Sequence, residues 1–111
     1  MPTIFEPKEF SVKKKNGAHI TVLANYAILG TNALQVERIE LEAAAKTSIF
    51  EAVDAERFVY VIRGRGRASA AEQEFPLDAE SVLWLEKGDA FYLEAGADGL
   101  EVLLCRAPAG E

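Results

Sequence analysis

Few side chains in this sequence of 111 residues can support acid–base or metal chemistry. It contains one histidine, His19, and one cysteine, Cys105. A transition-metal site needs several His, Cys, Asp or Glu side chains that converge on one point, so we expect no metal and no other cofactor. His19 could act as a general base because its ordinary pKa lies near neutrality. Its setting, Ala18-His-Ile-Thr-Val, is more typical of a strand-surface or packed side chain.

The overall charge is acidic, with 12 Lys and Arg against 18 Asp and Glu and a net charge of −6. A nucleic-acid binder relies on a positive surface, so this balance argues against nucleic acid and anionic membranes as partners. The segment Arg63-Gly-Arg65-Gly-Arg67 resembles an Arg-Gly nucleic-acid motif, but we interpret it as solvated arginines in a strand turn. The N-terminus lacks the pattern of a signal peptide, and no apolar run has transmembrane length. We therefore expect a cytoplasmic protein.

The lone Cys105 cannot form a disulfide within the chain. It lies in the apolar run Leu103-Leu-Cys105, which favours a small buried residue over a reactive thiol.

Short runs of β-branched and aromatic residues, separated by turn signals, predict an all-β sandwich or barrel. Asn16-Gly17 is a strong hairpin signal because both residues tolerate positive φ. The segment Phe58-Val-Tyr-Val-Ile62 is the clearest strand, and Gly64 and Gly66 are predicted to end it. The length predicts a single domain over 1–111 with a core at about 10–106. Further strands are predicted at 68–75, 81–85, 90–93 and 100–106.

The segment 33–46 is ambiguous, since its composition favours a helix. Its apolar positions instead alternate as in a strand, at Leu34 and Val36 and then, in a changed phase, at Ile39 and Leu41. We predict a strand over 33–42, with a possible bulge at Glu37-Arg38 that re-aims the side chains.

Two segments carry a resemblance to a known family. The first is Arg57-Phe-Val-Tyr-Val-Ile-Arg63-Gly64-Arg-Gly66-Arg67, and the second is Leu85-Glu-Lys-Gly88-Asp89-Ala-Phe-Tyr-Leu-Glu94-Ala-Gly96. Their order and spacing resemble the two motifs of the small single-domain cupins. The resemblance implies a single cupin-type double-stranded β-helix, which is a jelly-roll barrel.

The same resemblance implies that the family's metal ligands are missing. Counting back from Gly64 puts Arg57 in the position of the family's carboxylate. The family's His pair would fall at Phe50 and Ala52, or at Glu51 and Val53, and Gly99 occupies the histidine position of the second motif. A permanent cation such as Arg57 repels a divalent ion, so a metal-independent protein is expected.

Arg57 is the strongest candidate for a functional residue. Strand alternation predicts that it points into the barrel mouth with Val59 and Val61 on the same face. Its guanidinium needs a partner, either a ligand carboxylate or phosphate or an internal acid such as Glu51 or Glu101. The aromatic residues near the mouth could line a pocket, or they could belong to the core or to a dimer interface. The full set of candidate lining residues is Arg57, Val59, Val61, Glu51, Trp84, Phe91, Leu93, Glu101 and Leu103.

Three functional hypotheses follow from these residues. The first is a metal-free cupin-like protein that binds a small molecule in its barrel, an anionic one where Arg57 is the contact. The second is a metal-independent isomerase or epimerase acting on a carbohydrate-like substrate, with acid–base groups drawn from His19, Tyr60, Tyr92, Glu51 and Glu101. The third is a structural or regulatory barrel with a filled interior.

The strongest strand also has apolar residues on both faces. Val59 and Val61 lie on one face, and Phe58, Tyr60 and Ile62 lie on the other. Because only one face can fill the barrel, the other predicts a twofold homodimer.

Overall fold

A computed structural model describes residues 2–6 and 10–108 of the chain, and its regular secondary structure is almost entirely β-strand. One short helix, α1 (Tyr26–Leu29), lies among the strands. The strands are β1 (Ser11–Lys15), β2 (Ala18–Ala24), β3 (Gln35–Leu41), β4 (Glu56–Ala70), β5 (Gln73–Asp78), β6 (Val82–Leu85) and β7 (Phe91–Ala107). The predicted all-β class is confirmed. None of the described residues forms a helix that is long and apolar enough to cross a membrane.

All strand pairs are antiparallel, in the order β1-β2-β3-β7-β4-β5, with β6 also on β4. The two long strands, β4 and β7, are each shared between two groups of neighbours. Residues 57–60 of β4 pair with β6, whereas residues 65–70 pair with β5. Residues 100–106 of β7 pair with β3, whereas residues 91–95 pair only with β4 in the strand register. The two long strands thus pass from one layer of a jelly roll into the other.

The crossing point of β4 is built around Gly64 and Gly66, where its register with β7 shifts. A Cβ atom added to Gly64 would lie 2.3 Å from the carbonyl oxygen of Gly99, and one on Gly66 would lie 2.2 Å from that of Glu94. The two strands therefore approach too closely for any side chain here. The prediction that these glycines end the strand was wrong, because the strand continues through them in a new register.

The Asn16-Gly17 hairpin is confirmed, with φ of 51° and 83° at the two residues, between β1 and β2. The predicted strand over 33–42 is confirmed as β3. The bulge predicted in β3 is wrong, because β3 pairs regularly with β7 and the register shift lies in β2, between Val22 and Ala24. The change of phase arises because β3 has partly buried residues on both faces, with Val36 on one and Ile39 on the other.

Two local features escaped prediction. The predicted strand over 68–75 is split by a tight turn at Ala71 and Glu72, which have φ of 50° and 62° without any glycine. The short helix α1 is capped by the Asn25 side chain, which accepts a hydrogen bond from the backbone N–H of Ile28 (3.0 Å). It ends at Gly30, whose φ is 75°.

The core lies between the two layers and consists of alternate residues of the long strands. Burial of these side chains is the main source of stability for such a fold. The largest fully buried side chains are Phe91, Ile39, Leu85, Leu93, Val59, Val61 and Val102.

Candidate functional site

Arg57 lies on the buried face of β4, at the end of the barrel where β6, β4 and β7 run side by side. It is opposite Leu85 on one side and Arg106 on the other. Only 5% of Arg57 is exposed, and Val59 and Val61 on the same face are fully buried. Strand alternation thus carries a guanidinium into the same layer as the apolar core.

The surroundings of Arg57 leave its hydrogen-bonding capacity largely unused. Nη2 donates to the backbone carbonyl oxygen of Asp89, and the guanidinium lies 4.9 Å from the centre of the Phe91 ring. Nε is buried and has no hydrogen-bond partner. Neither predicted internal acid reaches it, because Glu51 is exposed and Glu101 binds Arg63 at 2.6 Å. The prediction of an ion pair with Glu51 or Glu101 is therefore wrong.

The charged neighbours of Arg57 are Arg106 and Asp89. Burial lowers the pKa of Arg57, the nearby Arg106 lowers it further, and Asp89 acts in the opposite direction. An arginine nevertheless stays charged at any physiological pH. A buried cation beside a second cation is costly unless an anion compensates it.

Sequence reasoning missed Glu37, which lies on the inner face of β3. Burial raises the pKa of its carboxyl group, whereas Lys13, Arg106 and a hydrogen bond from Gln35 each lower it. Glu37 thus shares Arg106 with Arg57 as a charged neighbour. Glu37 lies two and four residues before Ile39 and Leu41, the two buried residues of β3, and therefore on the same face of the strand. This alternation was the signal in the sequence that could have predicted an inward orientation for Glu37.

Aromatic rings fill the neighbouring part of the interior. Phe50 stacks on Phe91 with ring centres 4.7 Å apart and an interplanar angle of 16°. Leu93 is fully buried in the same core. None of the cavities described below is lined by Phe91, Leu93, Val59 or Val61. These four residues, which were predicted to line a ligand pocket, therefore pack in the core.

Phe50 and Arg57 stand at positions where the cupin resemblance would put metal ligands, and an aromatic ring and a cation do not fit a divalent metal. Among the described residues, no three His, Cys, Asp or Glu side chains are grouped to hold one. We derive no metal chemistry from this site.

Two further candidates lie elsewhere than predicted. Trp84 is 56% exposed and packs on Phe58, with ring centres 6.4 Å apart, so it belongs to the outer face of the sheet. Leu103 is half-buried opposite Tyr60 on that same outer face. Neither lines the barrel interior, because both have the strand parity opposite to that of the core residues.

His19 and Glu101 instead meet in a groove on the outer surface, with a volume of about 460 Å³. The His19 Nε2 atom lies 3.5 Å from a carboxylate oxygen of Glu42. Glu40, Asp98 and Arg63 also line the groove. This grouping brings together two of the acid–base residues that the sequence offered.

The arginines of the Arg-Gly segment are each paired with an acid. Arg63 binds Glu101, Arg65 lies 3.4 Å from Asp78, and Arg67 binds Glu94 at 2.9 Å and Glu74 at 3.3 Å. Their charge is compensated within the protein, so this segment does not form a free basic surface.

Cys105 is buried, as the sequence predicted, and burial raises the pKa of its thiol. A raised pKa disfavours the reactive thiolate.

Comparison of the fold gives many similar structures, and the three named here are distant in sequence. One is KdgF from Halomonas sp., with a TM-score of 0.81 and 12% identity over 100% of this chain and 97% of that one. A second is an RmlC-like cupin from Shewanella frigidimarina, with a TM-score of 0.79 and 14% identity over 100% and 95%. A third is the nucleoside dehydratase Pac13 of Streptomyces, with a TM-score of 0.80 and 19% identity over 100% and 86%.

No family model matches the sequence, and no curated protein matches it significantly. The structural matches show that this chain has the cupin fold, as its two motifs indicated. At these identities they show the fold alone.

Proposed function

We propose that this protein is a metal-independent binding protein that holds a small anion at the end of the barrel around Arg57. One observation carries the proposal. Arg57 is 5% exposed and is charged, yet its Nε has no partner and its one hydrogen bond goes to a neutral backbone carbonyl. Asp89 attracts the guanidinium electrostatically, but no carboxylate of the described residues accepts a hydrogen bond from it, and a bound carboxylate or phosphate would supply that acceptor.

Arg106 strengthens the argument, because it lies directly across from Arg57 on β7. Two guanidinium groups on neighbouring strands repel each other unless a negative group lies between or beside them. Glu37 supplies part of that charge to Arg106, but its own ionisation is opposed by burial. A bound anion would therefore lower the electrostatic cost of both arginines.

Titration calorimetry with a panel of anions tests this proposal. Acetate, phosphate and glucuronate, a sugar acid, sample the carboxylate and phosphate chemistries, and glucose serves as a neutral control. We expect at least one anion to bind to the protein and to lose its affinity in the Arg57→Met variant. Arg63→Met is the matched control, because Arg63 is exposed and paired with Glu101. Binding that survives Arg57→Met would overturn the proposal.

An enzymatic role is the second candidate, and the groove that contains His19 and Glu101 favours it. A metal-independent isomerase or epimerase needs an acid and a base on either side of its substrate. The fold similarity to a nucleoside dehydratase is compatible with such a role. The test is isomerase or epimerase activity on carbohydrate-like substrates. Activity that wild type shows and His19→Gln lacks, while His19→Gln still binds anions as wild type does, would favour the enzyme over the binding protein.

A filled structural barrel is the third candidate, and the Phe50–Phe91 stack favours it. It predicts that no member of the anion panel binds and that Arg57→Met has no effect beyond stability. The calorimetric experiment therefore separates it from the first proposal.

We further propose a homodimer formed through the outer face of the sheet that contains Trp84. Trp84 and Val82 are 56% and 58% exposed, and Trp84 packs on the half-buried Phe58. Such a patch on an edge strand favours association. We expect sedimentation to give twice the chain mass, and Trp84→Ser to give one chain mass. Val12→Ser, at another exposed apolar position, should leave the dimer intact.

The cytoplasmic location stays a prediction, and the organisation as a single domain over 1–111 is likewise proposed.

A further inference from the structure

A second pocket lies between the β1–β2 hairpin and the segment 46–50. We call it the lysine pocket, and its volume is about 190 Å³. Its walls come from the inward-facing residues of the hairpin and from the chain that leads toward β4. The lining residues are Lys13, Lys15, Asn16, Ala18, Ile20, Lys46, Thr47, Ser48, Ile49 and Phe50.

The pocket is basic in an otherwise acidic protein. Three lysines line it, and among the described residues no acidic side chain does. The spacing of the hairpin explains the arrangement, because Lys13 and Lys15 lie opposite Ile20 and Ala18 on one face, whereas Lys14 lies opposite His19 on the other. Two of these lysines also have neighbours outside the pocket. The Nζ atom of Lys46 lies 4.6 Å from the centre of the Tyr92 ring, and Lys13 is a charged neighbour of Glu37. The described lining carries lysines and no acid, which is the opposite sign to the net charge of −6, and such a lining favours an anion within about one Debye length, roughly 10 Å.

The interior of the pocket is apolar. Ile20 and Phe50 are partly buried against the core, and Ile49 is 61% exposed at the pocket. A cavity of about 150 Å³ lined by apolar side chains holds a benzene molecule, so about 190 Å³ accommodates one substituted aromatic ring. The ring of Phe50 offers an aromatic surface for stacking or edge contact.

We propose that the lysine pocket binds a small aromatic carboxylate, with its ring against Ile20, Ile49 and Phe50 and its carboxylate toward the lysines. The apolar wall selects the ring, and the lysines select the negative charge. Thr47 also lines the pocket, and its hydroxyl oxygen accepts a hydrogen bond from the backbone N–H of Leu93 (3.0 Å), which fixes this side of the pocket to β7.

This site is separate from the one proposed around Arg57. Arg57 does not line the lysine pocket, and the ring of Phe91 contacts both Phe50 and Arg57. The two sites thus have different lining residues, and the Phe91 ring lies between them.

The test uses benzoate as the probe, with benzamide as its neutral analogue and benzylamine as its cationic one. Titration is followed by amide chemical shifts in the intact protein. We expect benzoate to shift the resonances of residues 18–20 and 46–50, and to bind at least tenfold more tightly than benzamide. We expect benzylamine to cause no shift there. Raising sodium chloride from about 0.05 M to about 0.5 M should weaken benzoate binding.

Variants of exposed lysines complete the experiment without disturbing the core. The triple variant Lys13→Gln, Lys15→Gln, Lys46→Gln should weaken benzoate binding roughly tenfold or more. Lys14→Gln removes a charge from the opposite face of the same strand and should leave the affinity unchanged. Because benzoate is itself a carboxylate, Arg57→Met is measured as well, to show whether the probe binds at the Arg57 site instead.

Three results would overturn the inference. The first is benzamide binding as tightly as benzoate, and the second is an equal loss of affinity in Lys14→Gln. The third is loss of benzoate binding in Arg57→Met with the triple lysine variant unaffected, which would assign the probe to the other site.

Discussion

Replacing Arg57 by methionine separates a structural role of this arginine from a binding role. Methionine has a similar length, no charge and a flexible chain that fills irregular gaps. The wild-type side chain makes one charged hydrogen bond, to the Asp89 carbonyl, and one contact with the Phe91 ring. The substitution removes both, together with the buried charge and the unpartnered Nε.

The opposing contributions to the free energy of unfolding are similar in size. Loss of the charged hydrogen bond costs about 1.5–3 kcal/mol, and loss of the cation–π contact costs about 0.5–2 kcal/mol. Removing an unsatisfied buried donor returns about 1–3 kcal/mol. Relief of the desolvated charge beside Arg106 returns a further amount of the same order. We therefore expect the stability of Arg57→Met, in buffer without a binding anion, to lie within about 1 kcal/mol of wild type.

The binding role appears only when an anion is added. At roughly 100 times its Kd, a ligand that binds the folded state alone raises the free energy of unfolding by about 2.7 kcal/mol. Urea denaturation with and without the best anion of the panel should show this gain in wild type and in Arg63→Met. Arg57→Met should show none. Protein concentration is held fixed throughout, because a dimer makes apparent stability depend on it.

A loss of 3 kcal/mol or more in anion-free buffer would refute this reasoning. It would mean that Arg57 is compensated within the protein and acts as a structural group. The reasoning would also be refuted if the anion raised the free energy of unfolding of Arg57→Met as much as that of wild type, because the anion would then bind elsewhere.

Two further perturbations test the electrostatics and the strand crossing. Because burial raises the pKa of Glu37 above its ordinary 4.5, the folded state binds more protons than the unfolded state above pH 4.5, and stability falls as the pH rises through the raised pKa. Glu37→Gln should therefore gain stability relative to wild type as the pH rises above 4.5, measured by urea denaturation at several pH values. Equal pH profiles for wild type and Glu37→Gln would contradict this assignment. Gly66→Ala should cost more than about 2 kcal/mol, because its Cβ would lie 2.2 Å from the Glu94 carbonyl oxygen. Gly30→Ala is the control, because a Cβ atom on Gly30 meets nothing within 4 Å, and it should lower the free energy of unfolding only by the strain of its positive φ, about 1–2 kcal/mol. A similar loss of stability in both variants would argue against a close approach of β4 and β7 at Gly66.

Strand alternation was sufficient to predict the inner face of β4. Arg57, Val59 and Val61 share a parity, and all three are buried. The same rule could not assign Trp84 or Leu103, because both faces of this sheet carry apolar residues. A sheet with apolar residues on both faces gives no contrast between core and surface. Which residues of a strand point inward then cannot be decided until the register of that strand with its neighbours is known.

The missed turns and contacts have a different cause. Ala71 and Glu72 adopt positive φ without glycine or asparagine, so no turn signal marks them. Phe50 lies outside any strand, and isolated contacts of its segment with β7, including the bridge from Phe50 to Phe91, bring its ring onto the interior stack. Long-range pairing of this kind is fixed by the packing of the whole chain and leaves no local pattern.

The predicted absence of metal and the proposed anion site rest on the same residues. A divalent cation in a protein interior is held by carboxylates and neutral imidazoles, whose negative charge and lone pairs offset its desolvation. Arg57 and Phe50 supply neither lone pairs nor negative charge at the corresponding positions, and Arg106 adds a second positive charge nearby. Asp89 offsets part of this positive charge, and burial opposes the ionisation of Glu37 on β3. The proposed anion would add the negative charge that these two carboxyl groups supply only in part.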